Sequence, residues 1–179
     1  TGGGTLPVPD FPSLVNAPTS SSSALLSAQA DSVTAGSTVE ATNEATGDGA
    51  TTTATGDGAF VLELPGAATG STITLSGETS AGRFSGSLEL PPIASDLSVT
   101  DVVASQFDNG TGVRAVVAGP PGTFARVANI STGQIAEDGT PTEAGVRVLI
   151  PAAAGDRLVV VAFDSNDRSR VSEAVVVVF

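Results

Sequence analysis

One stretch of this sequence is written twice. Gly58-Ala-Phe-Val-Leu-Glu-Leu-Pro65, continued by Gly70-Ser-Thr-Ile-Thr-Leu75, is echoed by Gly145-Val-Arg-Val-Leu-Ile-Pro151, continued by Gly155-Asp-Arg-Leu-Val-Val-Val161. Leu64-Pro65 and Ile150-Pro151 lie 86 positions apart, and so do Asn43 and Asn129. A period of that length far exceeds a solenoid unit and matches one small β-sandwich. The repeat therefore divides the chain into two units, about 24–92 and about 97–179, behind an N-terminal segment 1–23.

Within each unit the apolar residues alternate. Phe60, Leu62 and Leu64 face one way, Val61 and Glu63 the other. Ile73 and Leu75 alternate with Thr72, Thr74 and Ser76, and Leu88 and Leu90 with Ser87 and Glu89. Period-two alternation marks strands with one buried and one wet face. Thr46-Gly-Asp-Gly-Ala50 and Thr55-Gly-Asp-Gly-Ala59 are identical turn sequences, because Asp-Gly favours the positive φ that tight hairpins need. No segment has helical length and period, so the expected fold class is all-β.

Alternation is lost in Leu158-Val-Val-Val-Ala-Phe163 and Ala174-Val-Val-Val-Val-Phe179. A strand apolar on both faces needs cover on both, and left bare it is an aggregation hazard. The expected cover is the first unit, a neighbouring subunit, or the N-terminal arm of another copy. In that arm Leu6, Val8, Phe11, Leu14 and Val15 are the candidate anchors. Pro7, Pro9 and Pro12 hold it extended, and since proline cannot donate to a ladder, any pairing there is partial or at an edge. Pro91-Pro-Ile-Ala-Ser-Asp96 reads as a short, stiff connection between the units.

What the chain lacks narrows its chemistry. It has no His, Cys, Met, Trp, Tyr or Lys, so the usual general base, thiol nucleophile and zinc or copper ligands are missing. The net charge of −12 disfavours nucleic acid and anionic membrane surfaces. No run approaches the length of a membrane span, so no membrane insertion is expected. A start at Thr1 without Met reads as a processed, exported product, and a lipid anchor ahead of Thr1 would fit.

The pattern Gly58-x-Phe60, Leu62-x-Leu64-Pro65, Gly70-x-x-Ile73-x-Leu75 resembles tandem bacterial immunoglobulin-like domains. The second copy carries the likeness through Gly155-Asp-Arg-Leu-Val-Val-Val-Ala-Phe-Asp164-Ser-Asn-Asp-Arg-Ser169, and together the two cover about 24–179. The sequence departs from immunoglobulin domains in lacking a Cys…Trp…Cys signature and a tyrosine corner. The resemblance implies two Ig-like β-sandwiches in tandem, an extracellular or cell-surface location, and a role as spacer, stalk or assembly module.

The candidate sites are few. Asp164 and Asp167 with Asn166, joined by Asp156, are the candidate calcium ligands. Arg168 and Arg170 compete with metal there, and a solvated turn with local hydrogen bonds is the simpler reading. No other cofactor is indicated, and nothing marks a catalytic pair among the 19 acidic residues, so no enzymatic activity is expected. Asn109-Gly-Thr111 and Asn129-Ile-Ser131 match the glycosylation sequon. Six of the seven arginines lie in the second unit, leaving residues 1–93 at −8 and 94–179 at −4, a gradient able to orient head-to-tail packing. The resulting expectation is a structural subunit of an extracellular filament, sheath or coat. It would bind copies of itself through Leu6, Val8, Phe11, Leu14 and Val15 of the arm and Val175, Val177 and Phe179 of the last strand. The alternative is an adhesin or ligand-binding stalk module.

Overall fold

A computed structural model of the protein describes residues 14–20, 22–139 and 145–179, and every regular element among them is a strand. The first half contains β1 (Val15–Pro18), β2 (Ser23–Ala28), β3 (Thr38–Asn43), β4 (Gly49–Thr53), β5 (Phe60–Pro65), β6 (Thr72–Thr79) and β7 (Gly82–Glu89). The second contains β8 (Ser98–Phe107), β9 (Gly110–Ala118), β10 (Thr123–Asn129), β11 (Ile135–Asp138), β12 (Val146–Leu149), β13 (Arg157–Asp164), β14 (Asp167–Val171) and β15 (Val175–Val178).

These strands form four antiparallel sheets. In the first half an outer sheet β4-β3-β6-β7 packs on an inner sheet β1-β2-β5; in the second, an inner sheet β11-β10-β13, extended by β14 and β15 on β13, packs on an outer sheet β12-β9-β8. Face-to-face packing of antiparallel sheets is the architecture expected from the resemblance. One core joins Leu26, Phe60, Leu62 and Leu64 of the first inner sheet to Val39, Ile73, Leu75 and Phe84 of its outer sheet. The other joins Val127, Leu158 and Val160 of the second inner sheet to Val113, Val117, Val146 and Val148.

The third apolar cluster lies between the two sandwiches. Val15, Ala17, Leu25 and Val61 leave the far face of the first inner sheet and meet Ala128, Val159, Val161, Phe163, Val171 and Ala174 on the far face of the second. The strands of β13 are apolar on both faces because both faces are inside. Leu158, Val160 and Ala162 point into the second sandwich, while Val159, Val161 and Phe163 point at the first. Of the covers expected for this face, the first sandwich of the same chain is the one observed, so the molecule is a stack of four sheets with three apolar layers.

Three short strands escape a reading by alternation. β1 lies inside the segment read as an arm; it is the edge of its sheet and ends at Pro18, where a missing N–H costs nothing in the ladder. β11 is half polar and only four residues long, β14 is mostly polar, and both are recruited by the backbones of β10 and β13. The connection from Pro91 to Asp96 is tied down: Ile93 bridges Val171, Ala94 N–H donates to the Val171 carbonyl at 2.8 Å, and Asp96 pairs with Arg170 at 2.5 Å.

Candidate functional site

The chemistry of this molecule concentrates in the layer between the sandwiches. Arg126 sits in the middle of β10, between Phe124 and Ala128, which share its face toward the first sandwich. Its side chain is 1% exposed. The guanidinium donates from Nε to Glu137 Oε1 at 2.8 Å, and from one terminal nitrogen to the Ser27 carbonyl at 2.9 Å and the Ser27 hydroxyl at 3.0 Å. Its other terminal nitrogen lies 2.7 Å from Glu137 Oε1. A buried cation is tolerated only when its donors are used this fully. Burial still dominates, pushing the Arg126 pKa down to about 10 against the pull of Glu137.

Phe163 completes the cluster. Its ring lies 5.5 Å from the Arg126 guanidinium carbon and 4.7 Å from that of Arg168, and it tilts against Phe124 at 5.9 Å between centroids. Arg168 also approaches Glu137 at 3.6 Å, so a single carboxylate answers two guanidiniums. At the edge of the layer Arg157 forms a two-pronged contact with Glu63, at 2.6 and 3.2 Å, and Ser23 donates a further hydrogen bond to that carboxylate. Ala174 N–H donates to the Pro18 carbonyl at 2.8 Å. Each of these bonds crosses from one sandwich to the other, except those to Glu137 and those of Ser23. Sequence alternation alone places Arg126 on a wet face; the apolar residues two positions to either side are the signal that this face is covered.

The proposed calcium ligands do not converge. Asp156 directly precedes β13 and Asp164 is its last residue, so the extended strand holds them roughly 25 Å apart at about 3.3 Å per residue. Asp164 and Asp167 flank a two-residue hairpin turn between β13 and β14. Asp164 accepts from the Asn166 N–H at 2.9 Å and from Arg170 at 3.0 Å, and these hold its carboxyl below the ordinary value. Asp167 accepts from the Ser169 N–H and hydroxyl. Asp156 is held low by the Ala153 N–H and the Asn129 amide. Among the described residues no group of three or more His, Cys, Asp or Glu side chains converges to hold a metal ion.

The assembly residues divide likewise. Leu6, Val8 and Phe11 lie outside the described residues. Val15 is fully buried between the sandwiches, Leu14 packs against the first core, and Val177 and Phe179 pack against the second. Val175 is half-buried in β15. Of the described members, Val15 alone lies in the third apolar layer, while Leu14, Val177 and Phe179 are partly buried against the two sandwich cores. Beside that layer runs a groove of about 1040 Å³, lined by Gln29, Thr55, Asp57, Gln134, Leu149 and Pro151 among others, with no aromatic ring among the described residues of its wall. Of the two sequons, Asn109 is exposed in the β8–β9 turn, whereas Asn129 is completely buried.

No family model and no curated protein matches this sequence. Among solved structures the chain is similar to the BSP domain of a biofilm-associated protein, at 19% identity and a TM-score of 0.34 over 92% of this chain and 29% of that one. It is similar to a segment of two fibronectin type-III domains from chicken tenascin, at 12% identity and a TM-score of 0.31 over 93% of this chain and 96% of that one. A Ca2+-stabilised adhesin that helps an Antarctic bacterium reach out and bind ice aligns at 17% identity and a TM-score of 0.29, over 91% of this chain and 48% of that one. The chain thus spans less than a third of the first of these proteins and about half of the third.

Proposed function

We propose that this chain is a non-enzymatic, rigid module of a secreted or cell-surface protein, holding a second element at a fixed distance and angle as the stalk segment of an adhesin does. The observation that carries the reading is the apolar layer between the sandwiches, closed by Arg126 on Ser27 and by Arg157 on Glu63. Two sandwiches on a bare linker would swing freely, since inter-domain motion is the default without a large apolar interface. Here the layer costs the chain a buried arginine, and that cost is offset only if one relative orientation is worth keeping. The absence of His and Cys from the sequence supports the non-enzymatic part.

The test compares the native chain with Leu25→Asp/Val161→Asp, which places carboxylates in the layer. Small-angle scattering should show a compact native particle and an expanded variant, while thermal unfolding splits from one transition into two. A native chain that already scatters as two independent bodies would overturn the reading.

A further inference from the structure

The two outer faces of the four-sheet stack carry different arrangements of charge, an arginine pair on one and a set of glutamates on the other. On the outer face of β12-β9-β8, Arg147 and Arg114 are direct cross-strand partners, both exposed, and Arg114 also faces Val103 on β8. Like charges set directly opposite on neighbouring strands repel. The other four arginines of this half, Arg126, Arg157, Arg168 and Arg170, each have a carboxylate within ion-pair distance. Among the described residues Arg114 and Arg147 have none, although Asp101 and Asp108 lie on the same pair of strands and the turn between them. Arg147 is instead spread over the Phe107 ring, 4.5 Å from its centroid, and Val103 and Leu149 are 44% and 39% exposed beside the pair.

At the other end, the outer face of β4-β3-β6-β7 displays Glu40, Glu44, Glu78 and Glu89 among threonines and serines, with Arg83 as the single cation, placed opposite Glu78. Glu44 is fixed there: its Oε1 accepts from the Thr74 and Ser87 hydroxyls at 2.8 and 2.5 Å. Those bonds hold its carboxyl below the ordinary range, so it stays ionised at neutral pH.

We propose that copies of this chain associate head to tail, the Arg114–Arg147 face of one seating on the Glu40–Glu44–Glu89 face of the next. An unrelated acidic partner would account for the cationic face alone; a second copy accounts for both faces at once, and explains an uncompensated arginine pair on a chain of net charge −12. The two surfaces differ, so the contact is heterologous and repeats into rows rather than closing as a two-fold dimer. Exposed ion pairs each contribute little and are screened by salt. The contact is therefore weak between free copies and effective between copies held at high local concentration. It does not depend on the stalk reading: a flexible pair of sandwiches would carry the same two faces.

The experiment is sedimentation equilibrium with charge-swapped variants, each checked for native fold by circular dichroism. Native protein should self-associate at low ionic strength and weaken at least tenfold between about 20 mM and about 300 mM salt. Arg114→Glu/Arg147→Glu alone should be monomeric, as should Glu40→Arg/Glu89→Arg alone. Mixing the two restores association, because each reversed face meets its complement on the other variant. Native protein that stays monomeric throughout, or reversed variants that associate as the native chain does, would overturn the proposal. So would binding of native protein to polyglutamate without self-association, which would assign the cationic face to an acidic polymer.

Discussion

Asn43 and Asn129, 86 residues apart, are both buried and perform the same task, one in each sandwich. Each closes the turn that follows its strand: Asn43 N–H donates to the Asp48 carbonyl and Asn129 N–H to the Gln134 carbonyl, both at 2.8 Å. Each carbonyl accepts from a left-handed glycine four residues on, Gly47 at φ 77° and Gly133 at φ 80°, again at 2.8 Å. The side-chain amides then reach across the sandwich, Asn43 to the Gly66 carbonyl at 2.9 Å and Asn129 to the Pro151 carbonyl at 3.1 Å. Pro151 belongs to the Ile-Pro element that marks the repeat and Gly66 directly follows the Leu-Pro element, so the equivalence of the two units is chemical as well as topological.

Removing either amide takes away the partner of a turn N–H and of a carbonyl across the sandwich. Asn43→Ala and Asn129→Ala are each expected to cost about 2–3 kcal/mol in urea denaturation, from the unsatisfied turn N–H and the orphaned carbonyl. A loss below about 0.5 kcal/mol at both positions would mean that water replaces them. Because Asn129 is fully buried, the folded chain should accept glycan at Asn109 and not at Asn129, which mass spectrometry of glycopeptides would read.

Breaking the buried ion pair should depend on which partner is removed. Glu137→Gln leaves the Arg126 cation in the layer with reduced compensation, and should cost about 3 kcal/mol or more. Arg126→Met removes the buried charge and keeps the volume, while Glu137 retains Arg168 nearby, so its cost should be the smaller of the two. Paired denaturant titrations give the order, and a larger loss for Arg126→Met would place the net benefit in the Ser27 bonds instead.

Acid should weaken the fold in a defined direction. Asp57, Asp96, Asp156, Asp164 and Glu44 all have carboxyls held below their ordinary values by hydrogen bonds in the folded chain. A lowered folded pKa contributes stability that is present above the unfolded value, about 4, and is lost as pH falls through the folded value. Unfolding free energy should therefore hold between about pH 5 and 7 and decline steadily below about pH 4. A flat profile down to about pH 2 would contradict these assignments.

Two glycines with the same backbone sign should respond differently. Gly58, at φ 82°, has the Val33 carbonyl oxygen 2.3 Å from where a Cβ would sit; Gly36, at φ 71°, has open space. Gly36→Ala should cost about 1 kcal/mol for the left-handed backbone alone. Gly58→Ala adds a backbone clash and should cost more than about 2 kcal/mol, measured by thermal unfolding of the two variants side by side.

Much of this architecture is legible in the sequence, and for one reason: side chains alternate on a strand, so Phe60, Leu62 and Leu64 report a single buried face wherever the strand is placed. The doubly apolar β13 likewise reports that its second face is covered. What covers it is not legible, because Leu25 and Val61, which do so, stand alone on otherwise polar-looking faces of β2 and β5. β14 is missed because Asp167-Arg-Ser-Arg-Val171 has no alternation; it is a strand because β13 offers it a free backbone edge. Arg126 reads as a solvated charge until Ser27, 99 residues earlier, is brought against it.

The identical pentapeptides Thr46–Ala50 and Thr55–Ala59 mark the boundary most sharply. The chain turns at both, but in the second the turn holds Asp57-Gly58, whereas in the first it comes earlier and Asp48-Gly49 leads into β4. In the first the left-handed residue is the second position, Gly47; in the second it is the fourth, Gly58. The first turn is spanned by the main chain of Asn43, whereas the second is held by Thr55 and docked on the preceding loop, with Asp31 and Val33 N–H groups donating to the Asp57 and Gly58 carbonyls. The sequence alone determined that the chain turns at both places, that strands of known facing lie between, and that the plan is made twice. Only the tertiary structure decided which glycine turns and which apolar face meets which, because those choices depend on hydrogen-bond partners and surfaces supplied by residues far away in the chain.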